Sequence, residues 1–163
     1  MRAAASPAAG RIAQIQIHYD GAPPVMMAKE RDTALRDLAD DSLFQPLNDN
    51  NGPYRILLSA QHKHIVLNIK NSLEEDLPAI GLSLGPYRRI IRDYFLMIES
   101  YEKTRIDGNR SKLEAIDMGR RGLHDEAAAL LLNRLKDKIT MDQDTARRLF
   151  TLICVLHLGQ VRL

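Results

Sequence analysis

The chain has 163 residues, a mass of 18.4 kDa and a formal net charge of +2. That length suits one domain with its own core, and 45% hydrophobic with 27% charged residues exclude disorder throughout the chain. The near balance of 23 basic and 21 acidic residues excludes a globally basic nucleic-acid binder, while a local basic patch stays open.

The single cysteine, Cys154, indicates a reducing compartment, because one thiol cannot form an intrachain disulfide. Its apolar surroundings, residues 149–156, favour a small buried side chain over a nucleophile. The sequence contains no run of about 20 apolar residues that would span a membrane, and Pro7 and Gly10 interrupt the N-terminus before a signal-peptide core develops. We therefore expect a cytoplasmic protein that does not bind membranes, with a flexible tail over residues 1–10 and a single domain over residues 11–163.

Residues 11–19 alternate between apolar and polar side chains, and this period of two predicts a half-buried strand. Its inner face would carry Ala13, Ile15, Ile17 and Tyr19. After a break at residues 20–24, helical spacing predicts a first helix from residue 25 to about residue 43. The core stripe of this helix would consist of Val25, Ala28, Leu35, Leu38 and Ala39. Residues 44–46 are expected to end the helix, and residues 48–53 to form a loop.

Residues 54–60 and 65–71 are two short alternating runs, and they predict a β-hairpin. Its inner face would carry Tyr54, Ile56, Leu58, Ala60, Ile65, Leu67 and Ile69. An acidic connection over residues 72–76 leads to a further strand over residues 77–84. With the N-terminal strand included, the pattern predicts a small antiparallel sheet of about four strands.

The remainder of the chain has helical periodicity. A Gly-Pro turn opens a helix over residues 86–103, because Pro86 suits a first helical position. Ser111 and Glu114 form a capping-box pattern at the start of the next helix, and a break near Gly122 would divide that helix into two. A last helix starts near Asp142. Strands followed by about three C-terminal helices, with one N-terminal helix, define the class α+β.

Three Arg-Arg pairs lie in the predicted helices, each near a carboxylate at a helical spacing of three or four residues. The pairs are Arg88-Arg89 with Asp93, Arg120-Arg121 with Asp117, and Arg147-Arg148 with Asp144. One interpretation is a set of solvated helix surfaces joined by ion pairs, each contributing roughly 0.2–0.5 kcal/mol. The other is that several of these arginines converge on one anion.

The start of the helix at Pro86 favours the second interpretation. Arg88 and Arg89 lie at the positive end of the helix dipole, which disfavours each cation by roughly 0.3–1 kcal/mol. An acidic group, from the same chain or from a ligand, is therefore expected nearby, and guanidinium groups bind phosphate or carboxylate through two hydrogen bonds. The candidate anion-binding residues are Arg88, Arg89, Arg92, Arg120, Arg121 and His124.

Catalytic and metal-binding patterns are weak. His124 with Asp117 or Glu126 would be a general base, but no nucleophile accompanies it, and an ion-paired or capping histidine fits the pattern better. His62 and His64 occur in a predicted turn without further zinc ligands at a familiar spacing. His157 is expected to be a satisfied core histidine. We predict no catalytic residue, no metal site and no cofactor.

Several motifs resemble a family of uncharacterised bacterial proteins of about this size. They are Gly52-Pro53-Tyr54-Arg55-Ile56, Leu82-Ser83-Leu84 with Tyr87-Arg88-Arg89-Ile90 and Asp93-Tyr94-Phe95, and the segments 114–122 and 144–152. The resemblance extends from about residue 11 to residue 157 and leaves the N-terminal tail outside. It implies one folded bacterial cytoplasmic unit, and it implies no activity, cofactor or catalytic residue.

The preferred hypothesis is a non-enzymatic binding or regulatory protein whose surface uses the candidate arginines. Its partner would be an acidic protein segment or a phosphate-bearing ligand. The first alternative is a protein that binds RNA or DNA through the same arginines, with an affinity that falls steeply as salt rises. The second is a hydrolase or transferase that uses His124 with a carboxylate.

Overall fold

The computed structural model of the chain describes residues 10–18, 25–61 and 63–160. Within them the strands are β1 Ile12–His18, β2 Phe44–Pro46, β3 Tyr54–Gln61, β4 His64–Lys70, β5 Ile80–Ser83 and β6 Ile139–Met141. The helices are α1 Val25–Asp40, α2 Arg88–Asp107, α3 Arg110–Leu135 and α4 Gln143–Gln160, and a 3₁₀ turn, Gly85–Tyr87, precedes α2. The predicted α+β class, with one N-terminal and three C-terminal helices, is confirmed.

The main sheet has four strands in the order β1-β3-β4-β5. The predicted hairpin is confirmed, since β3 and β4 pair antiparallel, as do β4 and β5. The prediction of a wholly antiparallel sheet is wrong, because β1 pairs with β3 in parallel. A parallel pair needs a long crossover, and the segment between β1 and β3, which contains α1, supplies it.

The inner face of the hairpin agrees with its alternating pattern. Tyr54, Ile56, Leu58, Ile65, Leu67 and Ile69 are all buried, whereas Ala60 is only half-buried. In β1 the register with β3 shifts between Ile12 and Gln14. This irregularity buries Ile12 with Ile15 and leaves Ala13 exposed, so the predicted inward position of Ala13 is wrong. Tyr19 lies outside the described residues.

A second, two-stranded sheet was not predicted. β2 pairs antiparallel with β6, and Phe44 in β2 is fully buried. The prediction that residues 44–46 only end the first helix is therefore incomplete, since they form β2. Three residues are too few to show a period of two, and the pairing partner lies far along the chain.

Loop residues define the ends of the helices. Gly108, with a left-handed φ of 75°, ends α2, and the Asn109 side chain caps α3 by accepting a hydrogen bond from the Lys112 N–H at 3.1 Å. The prediction that Ser111 is this cap is therefore wrong. Asp142 caps α4 by accepting from the Thr145 N–H at 2.9 Å, as its position predicts. α3 continues through Gly122 without a break.

The inner face of the main sheet packs against helices. Leu131 and Leu135 of α3 and Leu149 and Ile153 of α4 lie over three sheet leucines, Leu58, Leu67 and Leu82. The helix α2 packs against α3, and α1 packs against β1 and α4. The helices α2 and α3, which carry two of the Arg-Arg pairs, thus form one helical hairpin, in which Arg89 lies beside Glu126 of α3 and Arg120 beside Tyr101 of α2.

Replacement of Gly122 by alanine is expected to raise the free energy of unfolding by about 0.5–1 kcal/mol. The position is exposed within α3, and an added Cβ would contact no atom within 4 Å. Urea denaturation measures the change. The matched control is Gly108→Ala, which should be destabilising because its φ of 75° strains any residue with a Cβ. A lower stability of Gly122→Ala would contradict this account of α3.

Candidate functional site

Backbone donors at the start of α2 are already used within the chain. The Tyr87 N–H donates to the Leu84 carbonyl at 2.9 Å, the Arg88 N–H donates to the Gly85 carbonyl, and Pro86 has no N–H. The Gly85 N–H reaches the Ser83 hydroxyl at 3.4 Å. These amides are thus used within the 3₁₀ turn, and any anion bound here would depend on side chains.

A first ion-pair cluster joins α2 to α3. Arg89 pairs with Asp93 at 3.3 Å, as their spacing predicts, and it also pairs with Glu126 of α3. Arg92 approaches the same Asp93 at 3.6 Å. The acidic group expected beside Arg89 is therefore a pair of carboxylates from the same chain.

A second cluster centres on Asp117, which pairs with Arg120 at 2.6 Å and with Arg121 at 3.0 Å. Arg120 also pairs with Glu30 of α1 at 3.1 Å, and its guanidinium lies 5.8 Å from the centre of the Tyr101 ring. The predicted pairs within α3 are confirmed. Arg120 in addition connects α3 to α1 and α2, which spacing along one helix does not reveal.

The third Arg-Arg pair does not use the carboxylate that its spacing suggests. Arg147 pairs with Asp125 of α3 at 2.8 Å, and Arg148 donates to the Asp41 carbonyl at 2.9 Å. The predicted pairing of both arginines with Asp144 is therefore wrong. Both side chains extend from α4 toward neighbouring segments, so tertiary packing selects their partners.

His124 lies inside the helix layer, where its ring is 4.9 Å from that of Tyr94 and 6.0 Å from that of Phe150. Its Nε2 atom is 3.4 Å from the Thr151 hydroxyl. Burial, with the positive charges of Arg147 and Arg120, lowers the pKa of His124 to about 4. The imidazole is therefore neutral near pH 7, and it adds no positive charge to an anion site.

The hypothesis that His124 is a general base gains no support from this geometry. Within the described residues Asp117 is bound to arginines, Glu126 is bound to Arg89, and neither makes a hydrogen bond to His124. A pKa near 4 also makes a weak base at neutral pH.

Arg88 differs from the other candidate arginines. It is exposed, and among the described residues it has no ion-pair or hydrogen-bond partner for its guanidinium.

Burial and the charge of Arg88 together lower the pKa of His157. The Nδ1 atom of His157 is buried without a hydrogen-bond partner in the described part of the chain, so the prediction of a satisfied core histidine is wrong.

A polar network around the buried Asn71 joins two loops, and no pattern in the sequence indicates it. Asn71 donates to Asp49 Oδ1 at 2.9 Å and to Glu75 Oε1 at 2.8 Å, and its side-chain oxygen accepts from the N–H groups of Leu73 and Glu75, both at 3.0 Å. The Tyr54 hydroxyl donates to Asp49 Oδ2 at 3.0 Å. Burial raises the pKa of Asp49, but hydrogen bonds from Asn71, the Asn51 N–H and Tyr54 outweigh this effect and lower it.

The outer face of the main sheet carries a shallow groove of about 420 Å³. Its polar lining includes Gln14, Gln16, Asn68, Arg55 and Lys70. The two cations are already paired, Arg55 with Glu74 and Lys70 with Asp76 at 2.9 Å. The alternating polar residues gave no signal of a groove, because such residues are typical of any solvent-facing strand.

Cys154 is fully buried, as predicted, and burial raises the pKa of its thiol. In the part of the chain that the structure describes, no group of three or more His, Cys, Asp or Glu residues is placed to hold a metal ion. His64 is exposed at the start of β4, and His62 lies outside that part. Among the described helices, none combines the length and apolar character that crossing a membrane requires.

These features define a small α+β protein in which an ion-paired helical hairpin, α2–α3, packs beside a mixed sheet. The chain belongs to the uncharacterised protein family UPF0262, whose family profile matches residues 9–159. It is 49% identical to a UPF0262 protein of Brucella anthropi over 129 residues, which cover 78% of this chain and 81% of the relative. It is 45% identical to one of Maricaulis maris over 149 residues, 88% and 92% of the two chains.

The resemblance drawn from the sequence motifs is thereby confirmed, and the names of these relatives state no activity. No solved structure shows significant similarity to the chain.

Proposed function

We propose that this protein is a non-enzymatic binding or regulatory protein of the cytoplasm that captures an acidic protein segment through Arg88 and Arg92. One observation carries the proposal: the Arg88 guanidinium has no partner among the described residues. By contrast, Arg89, Arg120 and Arg121 are each paired with carboxylates of their own chain. The chain thus leaves Arg88 available while it neutralises its neighbours.

Arg92 lies four residues after Arg88, one helical turn along the same side of α2. Its side chain is 68% exposed, and its 3.6 Å contact with Asp93 is shared with Arg89. Two like charges at this spacing cost roughly 0.2–0.5 kcal/mol. A bound oxyanion between the two guanidinium groups would remove this repulsion and accept hydrogen bonds from both.

The exposure of Arg88 and Arg92 indicates which kind of ligand they bind. They project from a helix surface, whereas sites for small molecules are typically concave and enclose most of the ligand. An acidic segment of a partner protein matches such a surface. A phosphate group presents the same oxyanion chemistry, so the test includes both sources.

Replacement of both Arg88 and Arg92 by alanine is expected to weaken binding of a labelled glutamate-rich peptide at least about tenfold, since charge-assisted hydrogen bonds are lost. Fluorescence anisotropy measures the affinity, with the phosphoserine counterpart of the peptide as a second ligand. The matched control replaces Arg36 and Arg110, two exposed arginines on α1 and α3. The control should bind as the wild type does, and both variants should keep the wild-type melting temperature.

His157 gives a second readout that a purely structural role for Arg88 would not produce. An anion on Arg88 reduces the positive field at His157, so binding of the peptide should raise the pKa of His157 in an NMR titration. Equal affinities of the wild type and the Arg88/Arg92 variant would overturn the proposal. Binding of DNA alone, with a steep salt dependence, would support the nucleic-acid alternative instead.

A further inference from the structure

The α2–α3 hairpin exposes three large apolar side chains, Leu96, Met118 and Ile106, and the first two lie on its outer side, which faces away from the sheet. Leu96 of α2 is 55% exposed and Met118 of α3 is 71% exposed. Helical spacing places each of them opposite the side of its helix that enters the core, where Tyr94 and Leu131 are buried. The hairpin therefore presents apolar side chains in a direction that no other described element covers.

One exposed stripe of α3, around Met118, carries mainly small side chains. Its residues follow one another at alternating intervals of four and three: Ser111, Ala115, Met118, Gly122, Asp125 and Ala129. This is the spacing of positions that face a second helix in a helix–helix seam. Except for Met118 and Asp125, their side chains are small enough to let another helix approach closely.

The charges beside this stripe are self-complementary. Glu114 lies four residues before Met118, and Arg121 lies three residues after it, on the same flank of α3. A two-fold axis at Met118 that pairs two copies of α3 antiparallel brings Glu114 opposite Arg121 of the partner subunit, twice per dimer. Within the described part of the chain Glu114 has no ion pair, and Arg121, although it pairs with Asp117 at 3.0 Å, keeps a side chain that is 68% exposed and can accept a second carboxylate.

We propose that the chain forms a two-fold symmetric homodimer through the outer face of α2 and α3, with Met118 at the axis. A formal net charge of +2 gives little repulsion between two copies. A face two helices wide and about 27 Å long buries about 500–600 Å² per subunit, a total near the lower limit for specific interfaces. The interface uses neither Arg88 nor an anion, so it does not depend on the proposed function.

Sedimentation equilibrium over a concentration series tests the proposal. The wild type should reach twice the chain mass of 18.4 kDa. The variant Met118→Glu with Leu96→Glu should raise the dimer dissociation constant at least about tenfold, because it places carboxylates in an apolar interface. The matched control is Leu73→Glu, at an apolar side chain that is 61% exposed on the β4–β5 connection, and it should remain dimeric.

A charge exchange distinguishes pairing between subunits from a nonspecific apolar contact. Glu114→Arg alone and Arg121→Glu alone should each weaken the dimer, because each places like charges opposite one another. The double variant with both exchanges should restore it. A wild type that stays monomeric at every concentration would overturn the proposal, as would single exchanges without effect. Equal dissociation by the Leu73→Glu control would also overturn it.

Discussion

Replacement of Asn71 by alanine is expected to lower the free energy of unfolding by about 3–4 kcal/mol, the largest effect of a single substitution considered for this protein. Only 1% of Asn71 is exposed, and its side chain makes four hydrogen bonds. Alanine removes both donors and the acceptor at once. The N–H groups of Leu73 and Glu75 then lose their partner, and Asp49 loses a donor that holds its charged form.

Equilibrium denaturation in urea, followed by circular dichroism, measures this loss. Asn68→Ala is the matched control, because Asn68 is an exposed asparagine of the neighbouring strand β4 and its loss should cost less than about 0.5 kcal/mol. Asn71→Asp separates the accepting role of the side chain toward the loop amides from its donating role toward Asp49 and Glu75. It keeps an acceptor for the loop amides but sets a third carboxylate beside Asp49 and Glu75. It should therefore be destabilising at neutral pH and partly recover in acid.

An Asn71→Ala protein as stable as the wild type would show that the two loops hold together without this side chain. The account of the network would then be wrong.

Acidification from pH 7 to pH 4 is expected to remove about 3 kcal/mol of stability through His124 alone. The pKa of His124 is about 4 in the folded chain, against an unperturbed value near 6.5. Between these values the unfolded chain binds a proton that the folded chain rejects. The contribution of neutral His124 to the free energy of unfolding is therefore fully present above about pH 6.5 and is lost as the pH falls toward 4. Burial contributes most to the shift, followed by the charges of Arg147 and Arg120, while Asp125 opposes them.

Denaturation at a series of pH values measures this slope. The variant His124→Gln should show a shallower fall in stability over this range, since it has no group to titrate at this position. His157 remains in the variant and contributes in the same direction, because its pKa is also lowered. His64→Gln is the matched control: the residue is exposed at the start of β4, and its replacement should leave the slope as it is. Identical slopes for the wild type and His124→Gln would contradict the buried, neutral state of His124.

Elements with a repeating pattern were predictable from the sequence, because the burial of each side chain there follows from its own position in the repeat. The hairpin β3–β4 belongs to this group. Among the side chains of α1 that the structure describes, only the burial of Leu38 agrees with the predicted stripe, because Met27 and Ala34 are buried instead and Ala28, Leu35 and Ala39 are half-buried. The parallel pairing of β1, the β2–β6 pair and the register shift at Ala13 depend on contacts between distant segments, and no local pattern encodes them. The predicted cap of α3 was wrong for a local reason. Ser111 and Asn109 both suit an N-cap position, and because α2 ends at Gly108, the residue that caps α3 is Asn109.

In the candidate site, too, contacts within one helix were predictable and contacts between helices were not. Arg89–Asp93 and Asp117–Arg120 were predictable, since both pairs lie within one helix at a fixed spacing. The bonds from Arg89 to Glu126 and from Arg120 to Glu30 depend on how helices lie against one another. That Arg88 has no ion-pair partner among the described residues can be seen only when the partner of each nearby carboxylate is known.

The small sheet of β2 and β6 affects the order in which the chain folds during its synthesis. β2 pairs with β6, although its Phe44 N–H donates to the Gly10 carbonyl at 2.8 Å, and the adjacent Leu43 N–H donates to the Thr145 hydroxyl of α4 at 3.0 Å. The helix α1 likewise packs on α4, the last of the described helices in chain order. β2 and α1 therefore acquire these contacts only after β6 and α4 have been synthesised, whereas β1 can pair with β3 earlier, so protection of β2 and α1 in the nascent chain should appear late.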